Sequence, residues 1–177
     1  GLARAVGVSN FGVQQLQGLK DAGLEAPEVN QIELHCWLQQ REVAEYHLQE
    51  SIATMAYSPL ARGQRFSSKG GSVLGKIAEE LAQPEAAVAI RWSLQSGNIV
   101  IPKSTKPDRI QQNTSQGFSL SGAQMDKLRR LDCGFNSISS SKCMTLPWEE
   151  VATSIPADDS RGRGRKGKAA NADVTGA

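Results

Sequence analysis

Apolar positions along the chain switch repeatedly between a two-residue and a 3.6-residue rhythm. Ala3 to Val8 is a small apolar run ending in Ser9-Asn10 and predicts a strand. From about Gly12 the period lengthens, with Val13, Leu16 and Leu19 on one helical face and Gly23 as a stop. Val29 to Leu34 alternates apolar and polar residues, a second strand, and Arg41 to Ser51 carries Val43, Tyr46 and His47 at helical spacing. Ile52 to Tyr57 predicts the third strand. The loop from its end, Ser58 to Gly63, runs on through Ser67-Ser-Lys-Gly-Gly71, which is flexible by composition. A helix with Val73, Ile77 and Leu81 inward follows. Another is entered at Pro84, with Ala87, Ile90 and Leu94 inward and Gly97 just past its end. Asn98 to Ile101 is a short β-branched strand stopped by Pro102, and Ser121-Gly-Ala-Gln124 reads as a capping box before Met125, Leu128 and Leu131.

Strands separated by helices in this rhythm mean parallel βα units, in either a doubly wound sheet or a βα-barrel. Four units are half of an eight-stranded barrel. In both folds ligands bind at the carboxyl ends of the strands. Here each strand ends in polar residues: Ser9 and Asn10, Gln31, Tyr57 and Ser58, Lys103 and Ser104.

The last of these ends is the most specific. From Ile99 to Asn113 the chain is a strand, a cationic loop and a helix start in one run. Thr105 is placed to cap a helix whose first residue is Pro107, so that free amides point back toward the strand end, where they attract anions. Lys103 adds a mobile point charge, Ser104 and Thr105 add hydroxyls, and Arg109 reaches back with a planar fork suited to phosphate oxygens.

Composition changes this picture little. At 177 residues, 39% hydrophobic and 21% charged, the chain is ordinary for a globular protein. No apolar run approaches the roughly 20 residues of a spanning helix, so a membrane is not expected. Cys36, Cys133 and Cys143 lack C-x-x-C spacing, which indicates neither a disulfide framework nor a zinc site and makes a reducing, cytoplasmic location the expectation. The net charge of +2 is local. Residues 154–177 hold five basic and three acidic groups; taking these from 20 and 18 leaves 15 of each sign in the body. The chain divides at that point, residues 1–153 forming the folded unit and 154–177 a basic, disordered tail. Gly1 begins within a strand-like pattern without an initiating Met, which reads as truncation at the N-terminus.

Gly7-Val8-Ser9-Asn10-Phe11, Asn30-Gln31-Ile32-Glu33-Leu34-His35, Ala56-Tyr57-Ser58-Pro59-Leu60 and Ile101-Pro102-Lys103-Ser104 with Arg109 and Asn113, in this order, resemble the aldo-keto reductases. The resemblance covers roughly residues 3–153 and corresponds to the last four βα units of a (β/α)8 barrel plus part of its C-terminal segment. It implies NADPH as cofactor and a small aldehyde or ketone as substrate. By that resemblance Ser9, Asn10 and Gln31 bond the nicotinamide carboxamide and Tyr57 stacks on the nicotinamide ring. Ser58 and Leu60 contact the pyrophosphate; Lys103, Ser104, Thr105 and Arg109 cradle the 2′-phosphate; Gln112 and Asn113 meet adenine.

The departures matter as much. The family's catalytic Asp, Tyr, Lys and His belong to the first half of the barrel, which these residues do not include, so the chain alone is expected to be inactive. Lys20, Asp21, Tyr46 and His47 are not substitutes; Tyr46 and His47 fall within a helix and read as packing or surface residues. Cys36 stands where His-Pro is usual, altering a turn. The run Thr114 to Phe118 is shorter and less apolar than the family's.

Other motifs carry less. Gly162-Arg-Gly-Arg-Lys-Gly167 matches G-x-G-x-x-G only as a string, since it follows no strand and opens no apolar helix. Asn113-Thr-Ser115 is a glycosylation sequon without a secretory signal, and His35-Cys36 lacks further ligands for a metal. Two alternative readings stand beside the reductase: a cofactor-binding or interaction protein that has lost catalysis, and a nucleic-acid-associated protein led by Arg161 to Lys168. The free edges of the first and last strands point to self-association.

Overall fold

The computed structural model of the chain describes residues 2–66, 72–114 and 116–138. The Ser67–Gly71 loop, Ser115 of the sequon, Trp148, the glycine string at 162–167 and the tail and its boundary at 153 lie outside the described residues.

Four strands, β1 (Gly7–Ser9), β2 (Val29–Glu33), β3 (Ala53–Tyr57) and β4 (Ile99–Val100), form one sheet in chain order. All three pairings are parallel. Helices α1 (Val13–Asp21) and α2 (Arg41–Gln49) cross between the first three strands; α3 (Val73–Glu80) and α4 (Glu85–Gln95) together cross from β3 to β4; α5 (Pro107–Thr114) and α6 (Gly122–Arg129) follow. Each strand thus lies beside its chain neighbour, the order a βα-barrel keeps throughout, and no switch point of a doubly wound sheet is present among the described strands.

Strand β1 is shorter than its apolar run. Val6 accepts one last bond from Glu28 N–H at 2.9 Å, and the next residue back on the partner side is Pro27, which has no N–H to continue the ladder. Asn30, Ile32, Thr54 and Ala56 face the helices and are buried, whereas Ser9, Gln31, Met55 and Ile99, in register across the sheet, lie on a face the helices do not cover. On the covered side Ile32, Leu34 and Ala56 pack with Leu74, Ile77, Val88, Trp92 and Leu128.

Two helices are rotated in part from the faces their spacing suggests: Ile77 in α3 and Ala87 and Ile90 in α4 are buried as expected, and Leu81 packs against the core. In α3 the buried side chains are Leu74, Ile77 and Ala78, and Val73 is 38% exposed; in α4 they include Val88, Ile90 and Trp92, and Leu94 is 38% exposed. The reason is that α3 packs both on α4 and on α6, so its contact stripe is set by two partners. Ser72 caps α3 by accepting Gly75 N–H at 2.9 Å, and the predicted capping box of Ser121 and Gln124 starts α6. Gly97, at φ 85°, ends α4 as expected.

The far end of α6 is tied to the β2–α2 connection. Gln39 Nε2 donates to the carbonyls of Cys36 (2.8 Å), Arg129 (3.0 Å) and Leu128 (3.2 Å), and Arg41 bonds both Asp132 (2.9 Å) and the Arg129 carbonyl (2.7 Å). A short tether thereby satisfies helix-terminal carbonyls that would otherwise be orphaned.

The rotated face of α3 is measurable. Leu74→Ala should cost about 3 kcal/mol in urea-induced unfolding, and Val73→Ala no more than about 0.5 kcal/mol. Equal losses would contradict the rotation.

Candidate functional site

The carboxyl ends of the four strands share one edge of the sheet, and polar groups gather there. At β1, Ser9 Oγ donates to the Gln31 carbonyl (3.0 Å) and Asn10 N–H donates to the same oxygen (2.9 Å). Asn10 takes φ 58°, a left-handed turn that asparagine tolerates better than most residues. Its side-chain amide has no hydrogen-bond partner among the described residues. Gln31 lies in register with Ser9 and directs Nε2 to Met55 Sδ at 3.2 Å, a weak bond. Tyr57, last residue of β3, is half-buried on the same uncovered face, two residues beyond Met55.

After β3 the chain turns sharply, with Ser58, Ala61 and Arg62 at positive φ and Leu60 packed against the core. After β4 it enters α5. The cap predicted for Thr105 is corrected here: the Lys106 carbonyl accepts the first helical bond, from Ile110 N–H (3.1 Å), so Lys106 occupies the cap position and Pro107 the first helical one. Ser104 Oγ accepts Lys106 N–H at 3.1 Å, which holds the loop. Local sequence could not choose between the hydroxyls of Ser104 and Thr105, three and two residues before Pro107, as the one that bonds the loop backbone.

Lys103 and Arg109 are exposed and have no ion pair or hydrogen bond among the described residues. With Ser104 and Asn113, Lys103 lines an open groove of about 620 Å³ whose apolar wall includes Leu94, Val100, Ile101 and Ile110. Thr105, Gln112 and Arg109 are exposed nearby on the loop and α5. Three strand spacings of about 4.8 Å separate this cationic end from Ser9 and Asn10 by roughly 14 Å across the sheet edge.

Beneath the edge lie two buried polar rows that sequence reading did not find. Asn30, His47 and Thr54 form the first: His47 Nε2 is 2.9 Å from Asn30 Nδ2 and its Nδ1 is 2.8 Å from Thr54 Oγ1. Asn30 also grips Phe11, donating to its carbonyl (2.8 Å) and accepting its N–H (3.4 Å). His47, read from its spacing as packing or surface, is instead the middle of this row. The signal was available in part, because polar Asn30 and Thr54 sit at the inward positions of their strands, but their pairing to α2 is a tertiary fact. Tyr46 is half-buried and donates to Gln17 Oε1 at 3.2 Å, in keeping with a packing role.

The second row fastens the segment after α6. Glu33 Oε1 accepts the Ser137 N–H at 2.8 Å and the Ser137 hydroxyl, with His35 Nε2 3.2 Å away. Burial lowers the pKa of His47 and, against the opposing pull of Glu33, that of His35; burial pushes the Cys36 thiol up. Among the described residues no group of three or more His, Cys, Asp or Glu could hold a metal ion, and no helix is long and apolar enough to cross a membrane.

Fold and site together define a parallel α/β protein with amide, hydroxyl and cationic groups gathered at one sheet edge. Residues 1–132 match the family model of the aldo/keto reductase family, and the chain belongs to that family. It is 42% identical over 137 residues to methylglyoxal reductase DkgA of Yersinia pestis and 44% identical over 135 residues to an aldo-keto reductase of Mycobacterium sp. (strain KMS), in each case covering 76% of this chain and 48% of the relative. The chain thus spans about half the length of the relatives it matches. Among solved structures, Gox0644 in its apo form superposes with a TM-score of 0.73 at 38% identity, over 81% of this chain and 52% of that one. The Gox0644 D53A mutant, in complex with NADPH, gives 0.69 at 41% identity, over 73% and 47%. The four-stranded parallel fold therefore matches about half of these aldo-keto reductase structures.

Burial favours the neutral form of both histidines in the native state, while an unfolded histidine takes up a proton near pH 6.5. The unfolded chain therefore binds more protons below that value, and stability present above pH 6.5 is lost as pH falls through the lowered native values. Urea unfolding at pH 5.5 should show a loss of up to about 1.4 kcal/mol per histidine relative to pH 7.5. An unchanged midpoint would contradict it.

Proposed function

We propose that this chain holds NADPH along its sheet edge and forms the cofactor-bearing side of a carbonyl-reducing enzyme, the last four βα units of a (β/α)8 barrel. The observation that carries the reading is the placement of Ser9, Gln31 and Tyr57 on one uncovered sheet face, with two cations that have no partner among the described residues at the far end of the same edge.

The donor set suits the molecule. A carboxamide needs both donors and acceptors, and Ser9 Oγ lone pairs with the side-chain amides of Asn10 and Gln31 offer both. Tyr57 presents a flat, partly buried ring on the same face. The turn from Ser58 to Leu60 lies midway along the edge and would take the pyrophosphate. Lys103 and Arg109, with the hydroxyls of Ser104 and Thr105, would take the 2′-phosphate that distinguishes NADPH from NADH, and Gln112 and Asn113 the adenine. Because neither cation is paired among the described residues, a phosphate gains their charge without breaking an ion pair seen there.

When bound, NADPH supplies a hydride to the carbonyl of an aldehyde or ketone. The residues of this chain orient and select the cofactor. They do not include the family's proton-donating tyrosine with its Lys, Asp and His, so the oxygen that gains charge would have no positioned donor. A relative solved with NADPH bound supports the cofactor.

Titration of the 177-residue chain by quenching of Trp fluorescence should show NADPH bound more tightly than NADH. Lys103→Ala and Arg109→Ala should each weaken NADPH about tenfold or more and leave NADH nearly unchanged, the loss expected for one charge-assisted bond. With a reactive aldehyde, consumption of NADPH should not exceed that of the Lys103→Ala chain. Equal losses for both dinucleotides would overturn the 2′-phosphate assignment.

A further inference from the structure

The row Asn30, His47, Thr54 has one self-consistent proton arrangement. Asn30 Nδ2 must face the Phe11 carbonyl, since turning the amide over would set oxygen against oxygen there and nitrogen against the Phe11 N–H. Its second hydrogen then points at His47 Nε2, 2.9 Å away, which must accept. The imidazole proton is left on Nδ1, donated to Thr54 Oγ1 at 2.8 Å. Asn30 and His47 are at most 1% exposed, so water cannot replace a lost partner without opening the corner.

This row reaches the turn at the end of β1 directly. Phe11 follows Ser9 and Asn10, and Asn10 is held at φ 58° between two grips: the Gln31 carbonyl on Asn10 N–H, and the Asn30 side chain on Phe11. A non-glycine residue keeps such a conformation only when its surroundings enforce it. We propose that His47 is a positioning residue which, through Asn30, holds the Ser9–Phe11 turn in its cofactor-ready shape only while its imidazole is neutral. The inference rests on the reading that Ser9 and Asn10 contact the nicotinamide end.

Adding a proton at Nε2 sets N–H against the N–H of Asn30. The amide then has two choices, to lose the bond to His47 or to turn over and lose both bonds to Phe11. The second choice satisfies the charged ring and releases the turn. Among the described residues no other charge shifts the ring. Asn30, Thr54 and the Phe11 backbone, which face the ring from β2, β3 and the turn, do not titrate. The titratable groups of the α1–α2 corner, Lys20, Asp21, Tyr46 and Glu50, influence one another, and burial is the sole cause of the His47 shift. The C-terminal end of α2 favours a cation, yet the His47 shift is downward, set by burial.

His47→Gln tests this, because glutamine can accept from Asn30 and donate to Thr54 yet cannot titrate; His47→Leu removes both bonds. Two readouts on the full chain separate the possibilities: amide exchange of Phe11 without nucleotide, corrected for the intrinsic rate, and affinity for NADP+, each at pH 7.5 and 5.5. In the wild type, Phe11 exchange should quicken and NADP+ binding weaken at pH 5.5 by about tenfold more than in His47→Gln. Should His47→Leu fold, it should be impaired at both pH values. If His47→Gln shows the same pH response as the wild type, or if the His47 ring carries its proton on Nε2 by NMR, the inference is overturned. If Phe11 exchange follows His47 while the wild type binds no NADP+, the positioning of the turn stands and the proposed function fails. If NADP+ binds and Phe11 is indifferent to His47, the reverse holds.

Discussion

Parallel pairing of four strands in chain order is the constraint on which the rest of this structure depends. Every strand must run the same way, so each connection has to cross back over the sheet, and all four carboxyl ends arrive at one edge. The crossing helices cover the face that carries Ile32 and Ala56, and leave the face of Ser9, Gln31 and Met55 uncovered. Polar groups at the edge are therefore a consequence of topology before they are a site. Backbone that leaves a strand needs turns, such as those at Asn10 and Ser58, and turns present amides and hydroxyls.

Burial of polar groups in such a corner is costly unless each finds a partner; the first buried row meets that cost, while in the second Glu33 Oε2 and His35 Nδ1 have no partner among the described residues. Asn30 uses its whole amide on Phe11 and His47. Glu33 receives two bonds from Ser137, which fastens the segment beyond α6 to the end of β2. The second row joins Glu33, in register with Tyr57 on the sheet face the helices leave uncovered, to the segment beyond α6; the first joins inward strand residues to the turn after β1, so the shape of that turn is set by the interior below it. That link gives a buried histidine, without any contact to ligand, a place in the behaviour of the site.

At the other end of the edge the logic is reversed. Lys103 and Arg109 are exposed and have no partner among the described residues, so their worth depends on a partner with charge to offer. An interior-supported end of amides and hydroxyls and an exposed cationic end would suit the extended, phosphate-bearing ligand proposed above.

Strand ends, caps and the alternation of elements were legible because each depends on a few neighbouring residues: Ser121 with Gln124, Gly97 after α4, Pro102 after β4. The family resemblance was legible for the same reason, as short runs such as Ala56-Tyr57-Ser58-Pro59 that keep their order in the chain. Helix faces were legible only in part, and helix partners were not. Apolar spacing specifies that α3 is a helix, but α4 and α6 select Leu74 over Val73 as its inward side, because a stripe is chosen by what packs on it. His47 shows the same division. Its helical position followed from the pattern around it, while its role required Asn30 and Thr54 from two strands to arrive beside it, and only the tertiary structure brings together groups that the chain holds 17 and 7 residues apart.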